Sequence, residues 1–184
     1  DHTLPPEAWT DMNNVRALGA TLEKRTGTSQ VFGTPSVAPA FVMAVPGTSQ
    51  TFWLYTSLTK AYVYESGVHT NITRQTAGVD VDYTAINYRD WNSFVFQGVP
   101  ILNNGTDVPQ YWGALSSATK LANLSNWPGA TTKAKVMRGF GPYLVALNVT
   151  DAGTSRPHMV MWSHKADPGS LPSSWDHTDA TKDA

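Results

Sequence analysis

The chain has no cysteine. Disulfides, iron–sulfur clusters and thiolate zinc sites are therefore excluded, and a small disulfide-dense secreted domain is not expected. Charge is scarce as well. Only 15% of its 184 residues are Asp, Glu, Lys or Arg, against about a quarter in an ordinary globular domain. The net charge is -1, and Lys133, Lys135 and Arg138 come nearest to a basic run. Tight nucleic-acid binding by phosphate neutralisation is not expected from such a chain; weak, non-specific DNA contact is the most it allows. No apolar run is long enough to span a bilayer as a helix, so membrane insertion is not expected. Helical periodicity is nearly missing too. One stretch, Ala114 to Leu124, places Leu115, Ala118, Leu121 and Ala122 on one helical face, and Asn126-Trp127-Pro128-Gly129 stops it.

What is present reads as strands and turns. Residues 1–40 form an N-terminal arm with short strands. Leu4-Pro5-Pro6-Glu7-Ala8-Trp9-Thr10 is extended, because proline restricts its own φ and its predecessor. Val15 to Lys24 is a short strand pair turning near Gly19, and the Gly-, Ser- and Pro-rich residues 27–40 are mostly loop. Residues 41–184 form a β-meander domain. Thr51 to Thr56, Lys60 to Glu65 and Val68 to Thr73 alternate as three strands, with a turn at Gly67. Trp91 to Phe96, Val99 to Leu102 and Pro109 to Trp112 repeat the pattern across Gln97-Gly98 and Asn103-Asn104-Gly105. The second of these turns is a hairpin signal of type I′. Ala134 to Phe140, Tyr143 to Asn148 and His158 to Ser163 repeat it again. The units recur at roughly forty residues, the spacing of propeller blades. The predicted fold is all-β: repeated antiparallel meander units, propeller-like, with Phe52, Phe94, Leu144 and Met161 facing cores. Three units and a partial fourth do not close a ring of four to eight blades. The chain is thus expected to be a piece of a longer protein, or to have its sheet edges covered by neighbours. It also opens at Asp1 without Met.

Candidate chemistry is thin. His2, His69, His158, His164 and His177 include no pair with the spacing of a helical metal motif. His164 near Asp167, and His177 between Asp176 and Asp179, offer at best weak exposed cation sites. Asp80 and Asp82 alternate with Val79 and Val81. They form either an acid–base pair or, as preferred here, charges that protect a strand edge. No nucleophile elbow, phosphate loop or dinucleotide fingerprint is found. The prediction is no catalytic residue, no cofactor, no metal, and no enzyme. Asn71, Asn104, Asn123 and Asn148 begin N-x-Ser/Thr triplets, read as chance in a chain rich in these residues. Among the seven tryptophans, Trp53, Trp91, Trp112 and Trp162 lie in or beside strands and read as packing residues. Trp9, Trp127 and Trp175 lie in loops and read as anchors for another chain.

Several strings resemble the tail proteins of short-tailed bacteriophages. They are Leu4 to Thr10 with Asn14-Val15-Arg16, and Trp91 to Phe96 with Ile101 to Asp107 and Pro109 to Trp112. Further strings are Phe140 to Ala146, then Met161-Trp162-Ser163-His164 with Ala166-Asp167-Pro168, and finally Pro172 to Asp176. The likeness runs through most of the chain and rests on structural words, so it carries no catalytic residue across. It implies a tail nozzle, also called a tail hub or DNA-stabilisation protein. Such a protein forms a ring of copies below the portal and its adaptor, extends the DNA channel for genome ejection, and carries fibres or a needle. Its module is a β-propeller, and nozzle proteins are usually much longer than this chain. The expectation is a virion tail component in a homo-oligomeric ring, docked in part by its Pro-rich arm through Trp9. The alternative is a carbohydrate- or receptor-binding β module of a tail fibre; a third possibility is a fragment of a propeller-type glycoside hydrolase or lyase.

Overall fold

A computed structural model describes residues 15–18, 21–24 and 31–184. The chain divides into two compact units, Asp1–Thr34 and Pro35–Ala184. In the first, β1 (Val15–Leu18) and β2 (Thr21–Lys24) pair antiparallel, with Leu18 opposite Thr21. This is the expected strand pair.

The second unit is a succession of antiparallel sheets. The first sheet contains β3 (Phe41–Pro46), β4 (Thr51–Thr56), β5 (Ala61–Glu65) and β6 (Val68–Asn71) in that order. A small hairpin follows, β7 (Gln75–Thr76) with β8 (Val79–Asp80). The second sheet runs β9 (Phe94–Phe96), β10 (Val99–Leu102), β11 (Gln110–Tyr111) and β12 (Ala122–Asn123). The third has three long strands, β13 (Lys133–Phe140), β14 (Tyr143–Asp151) and β15 (Thr154–Trp162). No described residue is helical. The fold is therefore all-β, as expected, and no sheet closes on itself among the described residues.

The turns explain much of this regularity. Ser66-Gly67, Ala77-Gly78, Gln97-Gly98 and Ala152-Gly153 each have positive φ at both residues. Each joins two strands through two residues. Their backbone twist matches the right-handed twist of the strands they connect, which ordinary type I and II turns do not do. The Asn103-Asn104-Gly105 string does not form the predicted tight hairpin. Only Gly105 has positive φ, and seven residues separate β10 from β11. The Asn104 side-chain oxygen instead accepts the N–H groups of Thr106 and Asp107, building a wider loop.

Two apolar interiors lie between successive sheets. Val45, Phe52, Leu54 and Val63 of the first sheet share one with Leu102 and Trp112. Phe96, Val99 and Ile101 share the other with Met137, Leu144 and Ala146 of the third. Alternation along β10 sends Val99 and Ile101 to one side and Leu102 to the other, so this short strand is buried on both faces. Phe52 and Leu144 are buried as expected, and Phe94 and Met161 pack partly buried against the second interior. Close approach of the second and third sheets needs Gly139, where a Cβ would sit 3.1 Å from the Phe96 ring.

Two expectations are corrected here. The helix predicted from Ala114 to Leu124 is a string of turns ending in β12. Its apolar residues serve a different purpose: Leu121 joins the first interior and Leu115 packs against it. The N–H of Leu121 bonds to Ile72 O, and Trp112 Nε1 donates to Thr119 O, so the segment is held by long-range partners and not by its own backbone ladder. Trp127 and Trp175 do not reach out as anchors for another chain. Both are buried, edge to face, with ring centroids 4.8 Å apart.

Candidate functional site

The densest polar cluster lies where the β6–β7 connection meets the loop after β10. Arg74 Nη2 donates to Asp107 Oδ1 at 2.8 Å. Asp107 Oδ2 accepts the backbone N–H of Thr84 at 2.7 Å, the Asn104 amide at 2.8 Å and the Thr84 hydroxyl at 3.2 Å. The guanidinium also lies over the Tyr83 ring, 4.9 Å from its centroid. Burial works to raise the Asp107 pKa, but the Thr84 N–H, the Asn104 amide and Arg74 outweigh it, and the carboxyl is held below its ordinary range. Burial pushes the Tyr83 phenol well above its usual value. A carboxylate whose two oxygens already accept four donors is saturated, so it has little capacity left to take a proton from a substrate. The cluster acts as a latch that ties the first sheet's outgoing chain to the second sheet.

A second polar stitch ties the second sheet to the third. Asn92 and Asn103 bond to each other at 3.1 Å. Asn103 also donates to Ala134 O, while Asn92 donates to Lys135 O and accepts the Met137 N–H. Two amides thereby satisfy backbone groups at the start of β13 that the ladder leaves open.

The sequence candidates are dispersed. Asp80 is engaged by the Gln75 and Asn71 amides and by Lys120 at 3.5 Å. The Gln75 hydrogen bond is the main cause of its lowered pKa. Asp82 pairs with Lys60. Each carboxylate thus has its own cation. His69 Nδ1 shares a 2.9 Å hydrogen bond with the Tyr55 hydroxyl, within an aromatic face that includes Tyr62 and Tyr64. His164 Nδ1 accepts the Asp183 N–H at 3.0 Å. Asp176 and Asp179, on either side of His177, turn back onto Thr178 and Thr181. No group of three or more metal-capable side chains gathers among the described residues. Of the triplet asparagines, Asn104 is buried and committed to Asp107, so it cannot present its amide for modification in the folded chain. His2, Trp9 and the Pro-rich arm lie outside the described residues.

The strand tryptophans divide. Trp91 and Trp112 are buried packing residues as expected, with Trp91 Nε1 donating to Ser57 O. Trp162 is half-exposed on the outer face of the third sheet, where Phe140 is 75% and Val160 51% exposed. Phe140, Tyr143, Val145, Val160 and Trp162 line a shallow apolar depression of about 360 Å³ there. A further recess of about 450 Å³ lies beside β15, with Met159, Met161, Trp175 and His177 among its walls. Sequence reasoning passed over both surfaces. The outward alternation of Val160 and Trp162 was the available signal, but alternation alone does not say which face meets a neighbouring sheet.

No protein-family model matches this chain, and no curated protein matches it.

Proposed function

We propose that this chain is a structural subunit of a bacteriophage tail. In this reading several copies form a ring-shaped nozzle or hub below the portal, extending the DNA channel and anchoring other tail parts. The observation that carries the reading is the exposed outer face of the third sheet, with Phe140, Val160 and Trp162 in water. Contiguous exposed apolar surface of this kind marks a contact with another protein. Blade-like sheets stacked in succession suit a propeller module. Three of them leave an end sheet that a neighbour must cover. The resemblance of the Trp91–Trp112 and Phe140–Pro168 strings to tail proteins supplies the biological setting. A net charge of -1 suits a channel past which DNA slides without being held.

The carbohydrate-binding alternative asks for flat aromatic faces open beside polar partners. Trp127 and Trp175 are buried edge to face against each other, so neither offers an open ring face. The test is reconstruction of the tail of a phage particle whose genome encodes this chain. Density for a ring of copies below the portal is expected. Particles that lack the chain, or carry it only at fibre tips, would overturn the reading.

A further inference from the structure

The ladder sets the outer face of the third sheet in three rows. Phe140 stands opposite Tyr143, Arg138 opposite Val145 and Trp162, and Val136 opposite Leu147 and Val160. These residues alternate with Met137, Leu144 and Ala146, which enter the second interior, so their side chains leave the sheet on its outer side. Among the apolar ones Phe140 is the most exposed. The Trp162 indole N–H donates to Asp183 O at 2.6 Å, which fixes the ring at the β15 side with half its surface still in water. That bond belongs to the chain segment along the β15 edge. The depression lined by Phe140, Tyr143, Val145, Val160 and Trp162 opens on the face.

The chemistry of this face selects its occupant. A sheet face has no free main-chain groups, because the ladder uses them, so whatever covers it binds through side chains. Shallow, aromatic-lined surfaces take polyproline II segments, whose backbone stays in water and which lose little entropy on binding. Charge adds a second requirement. Arg138 Nη1 donates to Met137 O, and no carboxylate pairs with Arg138 among the described residues. Asp183, at the β15 side of the depression, has Lys165 at 3.8 Å. The charge left to be matched on this face is thus the guanidinium. The sequence contains a segment of that description. Its only Pro-Pro pair lies in Leu4-Pro5-Pro6-Glu7-Ala8-Trp9, outside the described residues. With three residues per turn, a polyproline II helix of this sequence has Pro6 and Trp9 on one ridge, Pro5 and Ala8 on a second, and Glu7 on the third. Six such residues span about 19 Å. The three rows cover about 13 Å along the strands and about 10 Å across them, so the segment fits along the diagonal.

We infer that the outer face of the third sheet takes the Leu4–Trp9 segment of a neighbouring copy of this chain. Pro6 and Trp9 lie over Phe140 and Trp162, and Glu7 meets Arg138. The contact is heterologous, arm to face. Each copy gives one arm and receives one, the arrangement that closes identical copies into a ring. The choice of a second copy as occupant rests on the reading of the chain as a ring subunit.

Analytical ultracentrifugation of the full chain tests this by complementation. Trp9→Ala spoils the arm and Phe140→Ser spoils the face. Each variant alone should self-associate about thirtyfold more weakly, the loss typical of an aromatic anchor. Mixed together, they should recover the wild-type affinity and stop at a one-to-one pair, because the arm of the Phe140→Ser chain fits the intact face of the Trp9→Ala chain. Charge obeys the same logic: Arg138→Glu and Glu7→Arg each weaken association, and their mixture restores it. A capped peptide of residues 4–10, titrated into the Trp9→Ala chain, should give saturable amide NMR shifts at Phe140, Tyr143 and Trp162. That measurement does not depend on the folding of the face variants. Weakened variants that fail to complement would overturn the inference, since a face-to-face contact behaves that way. Association that Trp9→Ala leaves unchanged, or a peptide that shifts none of the three amides at millimolar concentration, would overturn it as well. In either case density for a ring below the portal would still support the tail reading, so the two fail separately.

Discussion

The second and third sheets share one interior yet treat their outer faces in opposite ways. In the second, β10 is buried on both sides: Val99 and Ile101 enter one core and Leu102 the other. In the third, Met137, Leu144 and Ala146 are buried while Phe140, Val160 and Trp162 face water. Both sheets have apolar residues on their two faces, so composition does not separate them. What separates them is position in the stack. An apolar face in the middle of the row stabilises this chain; the same kind of face at the end of the row is available to something else.

The largest test of that contrast is Trp112→Ala. Trp112 is almost fully buried between the first two sheets, edge to face with Phe52 at 5.4 Å. Its loss should destabilise the chain by about 3–5 kcal/mol, combining lost burial with a cavity that the sheets only partly close. Urea unfolding measures it. A loss of about 1 kcal/mol or less would mean that the interface between the sheets is loose.

A smaller effect is expected at the latch. Asp107→Asn keeps the size of the side chain but leaves Arg74 without its counter-charge in a largely buried site. The cost should be about 3 kcal/mol. The pH dependence follows from the lowered pKa of Asp107. A carboxyl depressed in the folded state contributes stability that is fully present above its unfolded value of about 3.9 and is lost as pH falls through the lower folded value. Wild-type urea midpoints should therefore fall below about pH 4, and the variant should show a shallower slope. Asp80 and Asp90 are lowered too, so the slope should shrink without vanishing. An unchanged acid slope would show that Asp107 is not the anchor of the latch.

The smallest effect on folding belongs to the exposed face. Phe140→Ser should change stability by no more than about 0.5 kcal/mol, as for other surface positions. It should nevertheless reduce concentration-dependent association in analytical ultracentrifugation. A large stability loss with unaltered association would reverse the roles assigned to the two faces of the third sheet.

Local signals carried most of the architecture. Alternating apolar residues and X-Gly turns were enough for all nine expected meander strands to stand where predicted, give or take a few residues at their ends, because strand alternation and positive-φ turns are properties of neighbours in the chain. Trp91 to Phe96 was the loosest case, with only Phe94–Phe96 pairing in a ladder. Phe41–Pro46 fell within the expected meander domain but was not read as a strand, since its outward residues Val42 and Ala44 are apolar like its inward ones. The helix expected from Ala114 to Leu124 failed for a related reason. Four apolar residues fit a helical period, but two tertiary bonds, Leu121 N–H to Ile72 O and the Trp112 indole to Thr119 O, claimed the segment. The polar latch was illegible in advance because Arg74 and Asp107 are 33 residues apart and neither belongs to a motif. Trp127 and Trp175 looked like free anchors because each sits in a polar, Pro-containing loop, and nothing local reveals that the two loops meet. By itself, then, the sequence determined the all-β character, the turn positions and the alternating faces, since these follow from φ preferences and a two-residue period. Only the tertiary structure decided which faces are buried, which tryptophans are core, and that β15 is the last strand of its sheet among the described residues. Those outcomes depend on which sheet lies next to which, and that is a relation between distant parts of the chain.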